Sequence, residues 1–326
     1  MNSEETDNEA LVLSPSDIAL PVVPQVSTHE LLEAFLSGRS PATIQAYRND
    51  LRGLASFLGV QSIDEAAEVI LRSGHGGANL LALRFRAHLL ERGLSASSIN
   101  RKLAALRSLV TLANTLGIVN WHLQVANLRV EKPNVTGVGL NAVRSLIAVA
   151  GNQKGIKGVR DLAIIRIFFD LALRRAEVCS LDLEDVDLAN QRVTVKRKGH
   201  HGRTTLTLPE PTCEALREWI DRRGTEPGPL FFSLQHELVG QKRRLTPAGI
   251  YYIVTALGRK AGFKVHPHQL RHDSITEAVK SAQTSGIGLE EVMDFSGHRQ
   301  IGTLLIYRDR ERNVQGQLAG MVAAKA

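Results

Sequence analysis

Residues His266 to Asp273 read HPHQLRHD, three histidines and an arginine within eight positions. Three readings compete: a metal site, a solvated helix face, or a clamp for a phosphate. Pro267 suits the first position of a helix, which places His268 and Arg271 at i and i+3 on one face. His268 and His272 stand at i and i+4, a zinc-ligand spacing as well. The zinc-protease pattern needs a Glu after the first His, but Gln269 stands there. No cysteine lies near enough to complete a tetrahedral site. Metal is the weakest of the three readings, and the rest of the chain has to decide between the other two.

The chain has 326 residues, 43% of them hydrophobic, enough for two domains with cores of their own. No apolar run is long enough for a membrane span, and the N-terminus lacks the pattern of a signal peptide. With only Cys179 and Cys213, no disulfide framework is expected, and a reducing cytoplasm is the simplest location. The net charge is +7 and the isoelectric point about 9.6. The first thirty residues carry six acidic and no basic side chains, so the remainder holds 40 basic against 27 acidic residues, a net +13. A basic body behind an acidic tail points to a polyanionic partner.

Residues 1–27 are acidic, then rich in Pro, Val and Ser, and read as a disordered tail. From residue 28 to 130 the pattern is helical. Ser40 and Pro41 open a helix carrying Ile44, Tyr47, Leu51, Leu54 and Phe57 on one face. A second run spans 78–91. A third begins at a Ser cap and sets Ile99, Leu103, Leu106 and Val110 opposite Arg101, Lys102 and Arg107. The expectation is a small helical bundle with one basic side. EKPNVTGVG, residues 131–139, reads as a linker. A second domain, 140–326, opens with helices over 141–149 and 158–173. RVTVKRKGHHGRTTLTLP then alternates as a β-hairpin with Lys198 near its tip.

The same domain holds further polar clusters. LALRRAEVCSLDLEDVDL, starting at Leu171, sets Arg174 after an apolar helix, where it could simply pair with Glu177. Lys198 could be solvent decoration on a turn. FSGHRQIGTLLIYRDR, starting at Phe295, sets Tyr307 nine residues after His298, where it could be packing. Each is weak alone. In order, Arg174, Lys198, His268-x-x-Arg271, Gly297-His298 and Tyr307 resemble the signature of the tyrosine recombinases, the phage integrase family. ALRRAEV is similar to the family's G-L-R-x-x-E-L box, with Ala172 in place of the usual Gly. HQLRH matches H-x-L-R-H in full. SGHRQIGTLLIY is similar to L-G-H-x-x-x-x-T-x-x-Y, with Ser296 in place of Leu. The hairpin resembles G-K-G-x-K-x-R-x-x-P, with departures at Arg197 and Gly202. The resemblance covers roughly residues 28–312 and leaves none of the catalytic positions in doubt.

The resemblance implies a mainly α fold with a small β-sheet: a helical core-binding domain followed by a mixed α/β catalytic domain. It implies DNA cleavage by Tyr307, giving a 3′-phosphotyrosine and a free 5′-hydroxyl. Arg174 and Arg271 would bind the non-bridging oxygens with planar, permanently charged forks. Lys198 would protonate the leaving oxygen. His268 would move the proton near the tyrosine hydroxyl, His298 would bond a phosphate oxygen, and Glu177 would orient Arg174. A phenol, with its pKa near ~10, is a reachable nucleophile and a good leaving group for rejoining. No metal or other cofactor is implied. The implied partner is double-stranded DNA with paired recombination sites, bound by a homotetramer with a possible accessory recombinase or directionality factor. No membrane is involved. Arg48, Arg101, Lys102 and Arg107 in the first domain, and Lys242, Arg243 and Arg244 in the second, are the candidate DNA contacts. Val314, Leu318, Met321 and Val322 line one face of a short C-terminal helix, which reads as an exchange segment docked in cis or on a neighbour. The rival readings are a type IB topoisomerase-like or telomere-resolving enzyme, and a non-catalytic DNA-binding relative. The complete set of six polar residues argues against the last.

Overall fold

The computed structural model describes residues 26–130, 137–197, 202–237, 242–311 and 314–325. Lys198, Gly199 and most of the acidic tail therefore lie outside the described residues, as does the linker up to residue 136. The chain forms two compact units that divide between Pro133 and Asn134.

The first unit is all helix: α1 Thr28–Leu36, α2 Pro41–Leu58, α3 Ile63–Arg72, α4 Gly74–Glu91 and α5 Ala96–Thr115. A serine stands at the start of each, and four of the five cap with the side chain. Ser27, Ser40, Ser62 and Ser95 each turn an oxygen onto a backbone amide of the first turn, satisfying one of the donors a helix start leaves open. Phe35, Leu51, Leu54, Phe85, Leu103 and Leu106 form the buried core. The helix α3 has no counterpart among the helices expected from periodicity. Its IDEAAEVILR is nevertheless strongly amphipathic, burying Ala66, Ala67, Ile70 and Leu71 on one face, so the helix was open to a reading from period.

The second unit contains α6 Leu140–Gly151, α7 Ile156–Asp170, α8 Arg175–Ser180 and an antiparallel sheet of β1 Val186–Asp187, β2 Arg192–Lys196 and β3 Arg203–Thr207. Val193 pairs with Leu206 and Val195 with Thr204. Then come α9 Glu210–Arg223, α10 Leu234–Glu237, α11 Pro247–Lys260, α12 Pro267–Ser285, α13 Leu289–Ser296, α14 Ile301–Glu311 and α15 Val314–Ala323. The main core gathers Ile164, Phe168, Val193, Leu216, Trp219, Phe231 and Leu257. A smaller apolar cluster joins Ala172, Ile275, Val279, Val292, Leu304 and Tyr307.

Two local features orient the polar residues of this unit. The helix expected over 158–173 stops at Asp170, because Ala172 takes a left-handed backbone, φ 49°. That conformation costs an L-residue roughly 1–2 kcal/mol, and here it turns the fully buried Ala172 so that its carbonyl receives Arg271. The second feature is a latch on the chain entering α6. The Asp273 carboxylate accepts the amides of Val138 and Gly139 at 2.9 and 3.1 Å. A Cβ at Gly137 would lie 1.6 Å from the same carboxylate, so residues 137–139 of the expected linker are fixed to α12.

Candidate active site

The site is built from the ends of short elements. Arg174 caps α8, and its own amide bonds Glu177 Oε2 at 2.8 Å. Its guanidinium reaches Glu177 Oε1 at 2.9 Å and the Gly297 carbonyl at 3.0 Å. Arg271, one turn into α12, is 4% exposed. It donates to the carbonyl of Ala172 and, at 2.7 Å, to that of Ser296. The left-handed Gly297, φ 63°, ends α13 and delivers His298. There Ser296 Oγ lies 2.9 Å from Nδ1 and Arg271 Nη2 3.5 Å from Nε2.

Arg174, Arg271, His268 and His298 line one cavity of about 510 Å³, joined by Arg175, Tyr251 and His266. Burial pushes the Arg271 pKa down to about 10, helped by Arg174, and the group stays charged at neutral pH. Burial pushes Glu177 up, but its bonds to the Arg174 amide and guanidinium, with the charges of Arg174 and Arg271, outweigh that and hold it below the usual range. The result is a fixed cluster of positive charge facing an open cavity. Among the described residues no group of three or more His, Cys, Asp or Glu is placed to hold a metal.

Burial, Arg271, Arg174, Arg197 and His268 push His298 down to about 4, from an ordinary value of 6.5. Between those two values the unfolded chain carries a proton that the folded chain excludes. Stability therefore rises with pH from about 4 to 6.5 and is lost as pH falls through that window. His268 is lowered too, by burial and then Arg271 and Arg174, and acts in the same direction. Urea denaturation at a series of pH values should show this slope in the parent and a shallower one in His298→Gln. Identical slopes would refute the assignment.

The expected nucleophile, Tyr307, sits beside the cluster, near enough for its charge to act on Arg271. Tyr307, on α14, is 9% exposed and lines a neighbouring cavity with His272, Asp273 and Gly137. Its ring centroid is 4.7 Å from that of His272 and 6.3 Å from that of His298. His272, one turn beyond His268 on α12, packs its ring against that of Tyr307 at a tilt of 43°. Lys198 lies outside the described residues.

The candidate DNA contacts divide. Arg48 and Arg243 are exposed. Arg101 and Lys102 both bond Asp50, which is 2% exposed. Arg107 holds the Val125 carbonyl at 2.6 Å and Asn127 Oδ1 at 2.7 Å. Lys242 bonds the Arg223 carbonyl and Glu226, and Arg244 bonds Asp182 and the carbonyls of Cys179 and Leu181. Most of these cations thus tie the chain to itself, a commitment that helical spacing does not reveal. Lys102→Met should accordingly destabilise the first unit by roughly 1–3 kcal/mol, the cost of leaving a buried charge short of a partner, measured by chemical denaturation. Unchanged stability would return Lys102 to the solvated face. Arg175, which lines the cavity, and Arg197, which bonds the end of α13, join the site without a signal in the motif spacing.

Comparison with known proteins agrees with this geometry. Residues 140–313 match the model of the Phage integrase family, and residues 31–114 that of the Phage integrase, N-terminal SAM-like domain. A tyrosine recombinase of Synechocystis sp. is 33% identical over 90% of this chain and 94% of its own. Tyrosine recombinase XerC of Pseudomonas putida is 32% identical over 82% and 85%. The fold is similar to that of the XerH site-specific recombinase bound to palindromic difH substrate, with a TM-score of 0.66 and 17% identity over 91% of this chain and 85% of that one. The protein therefore belongs to the phage integrase family and is a site-specific recombinase of the tyrosine type.

Proposed function

We propose that the protein cleaves and rejoins duplex DNA with Tyr307 as nucleophile and the Arg174–Arg271–His298 cluster as the phosphate clamp. The observation that carries this reading is the convergence of both guanidiniums and two imidazoles on one cavity. A phosphodiester in that cavity gains negative charge on its non-bridging oxygens during attack, and charge already in place is the largest catalytic contribution such a site can make. The Tyr307 oxygen bonds phosphorus, and the bond to the 5′-oxygen breaks. Lys198 supplies the proton to that leaving oxygen, and His268 moves the proton released by the phenol. A 5′-hydroxyl from another strand then attacks the phosphotyrosine, restoring a phosphodiester and releasing Tyr307. The phosphodiester bond energy is held in the protein–DNA linkage, so joining needs no nucleotide.

Tyr307 packs between the His272 and His298 rings, near enough to Arg271 for the two charges to interact, which supports its oxygen as the group that attacks the clamped phosphate. The working assembly is a homotetramer on two sites, with integration, excision or resolution set by the DNA and by accessory factors. No helix among the described residues is long and apolar enough to cross a membrane.

A duplex nicked beside the cleavage point loses its short end and traps the covalent intermediate. The protein should form this adduct in excess EDTA without ATP, and adducts of single polarity should carry the 3′-phosphate. Dependence on added magnesium or zinc would overturn the metal-free reading.

A further inference from the structure

Helix α13 ends directly ahead of His298, and the last carbonyls of a helix have no partner within it. Met293 O accepts from the His298 amide and the Ser296 hydroxyl, and the next four carbonyls are taken by arginines from elsewhere. Asp294 O and Phe295 O accept from Arg197 Nη1 and Nη2 at 2.6 and 2.7 Å. Ser296 O accepts from Arg271 and Gly297 O from Arg174. Three guanidiniums thus hold four consecutive carbonyls. Two of the three face the cavity, and the third, Arg197, does not line it.

Arg197 follows directly on β2, is 3% exposed, and its Nε has no hydrogen-bond partner among the described residues. As a stabilising device it is a poor choice. Burying a guanidinium costs several kcal/mol before any bond is counted; the charge of Glu177 offsets part of that, Arg174 adds to it and Asp294 offsets it again. An apolar side chain of the same length would avoid that cost but leave the Asp294 and Phe295 carbonyls without this donor. Its placement has a different consequence. A Cβ at residue 297 would fall 2.5 Å from Arg197 Nη1, so the guanidinium packs onto the left-handed glycine that turns His298 into the site.

We propose that Arg197 is a positioning residue for strand cleavage: from the end of β2 it pins the C-terminus of α13, and with it the Gly297–His298 turn and the two arginines that share that turn. It touches no substrate. The inference rests on the reading of Arg174, Arg271 and His298 as the phosphate clamp.

The test uses the full-length chain as Arg197→Met and Arg197→Lys. Three quantities are measured: Tm, affinity for a one-site duplex, and the single-turnover rate of adduct formation on the nicked duplex. Met keeps the apolar stem and removes the charge. Its Tm should fall by roughly 5–20 °C, because the Asp294 and Phe295 carbonyls lose their donor, and the rate is read well below that lowered Tm. Its affinity should stay within about threefold, while the adduct rate falls about 100-fold, as expected when reacting groups shift by about an ångström. Lys, able to hold one carbonyl but not two, should recover part of the rate. An adduct rate for Met within threefold of the parent overturns the proposal. So does a rate loss that disappears when the assay is cooled well below a lowered Tm, since the role is then structural alone. If Met does not fold, Lys decides, and a parental rate for a folded Lys protein overturns it. Arg174→Ala is run beside them. Parental cleavage by that variant marks failure of the clamp reading itself, separately from failure of the Arg197 inference.

Discussion

Tyr307→Phe should fold, bind DNA and form no covalent adduct at all. The ring is what the fold uses. It packs with Ala172, Val292 and Leu304 and against the His272 ring, and Phe preserves every one of those contacts. Removing the hydroxyl alone changes stability by about 1 kcal/mol at most. The loss of chemistry should by contrast be complete, and because Tyr251 is a second phenol lining the clamp cavity, Tyr251→Phe run beside it should keep the adduct. The measurement pairs a gel shift with a denaturing gel on the nicked duplex. Parental affinity with an empty covalent lane is the expected result. A residual adduct in the Tyr307→Phe protein would assign the nucleophile elsewhere.

The second large effect separates the two clamp arginines. Replacing either should slow adduct formation by 10²–10³-fold, about 2.7–4 kcal/mol, the usual loss when one preorganised donor is removed. Lys should rescue poorly in both places, since an ammonium cannot reproduce a planar fork. Stability should distinguish them. Arg271 is 4% exposed and closes two buried carbonyls, those of Ala172 and Ser296. Each orphaned acceptor costs about 1–3 kcal/mol, so Arg271→Lys should lower both rate and Tm. The Arg174 side chain is 29% exposed, water can replace its bonds, and Arg174→Lys should cost rate with little change in Tm. Near-normal cleavage by Arg271→Lys would count against a shared clamp, and equal Tm losses would count against the division of labour.

The helical first domain and the hairpin were legible because serine caps and apolar periods are local signals. Their limits are local as well. Nothing in LALRRAEV announces that Ala172 adopts a left-handed turn, since the reward, a bond from Arg271, comes from a residue 99 positions away. The same holds for Arg101, Lys102 and Arg107. A helical wheel gives them a basic face, but Asp50 and the carbonyl of Val125 claim them in three dimensions. The cavity residues Arg174, His268, Arg271 and His298 were legible as a set only because their order resembles a family pattern. Spacing alone could not place His272 against Tyr307. Arg197 was visible only as a departure from that pattern, and its partners on α13 emerge solely from the fold.

The bonds of Arg271 also bear on what an unfinished molecule can do. One guanidinium simultaneously closes the turn after α7 and the end of α13. Loosening either segment therefore withdraws the donor from any bound phosphate. A molten or half-assembled chain, lacking both contacts, should have no organised means of breaking a strand. Nicking of the chromosome by nascent or heat-damaged copies is thus suppressed by the same contacts that complete the native state. Amide exchange at the end of α13 and loss of adduct formation should follow a single temperature profile.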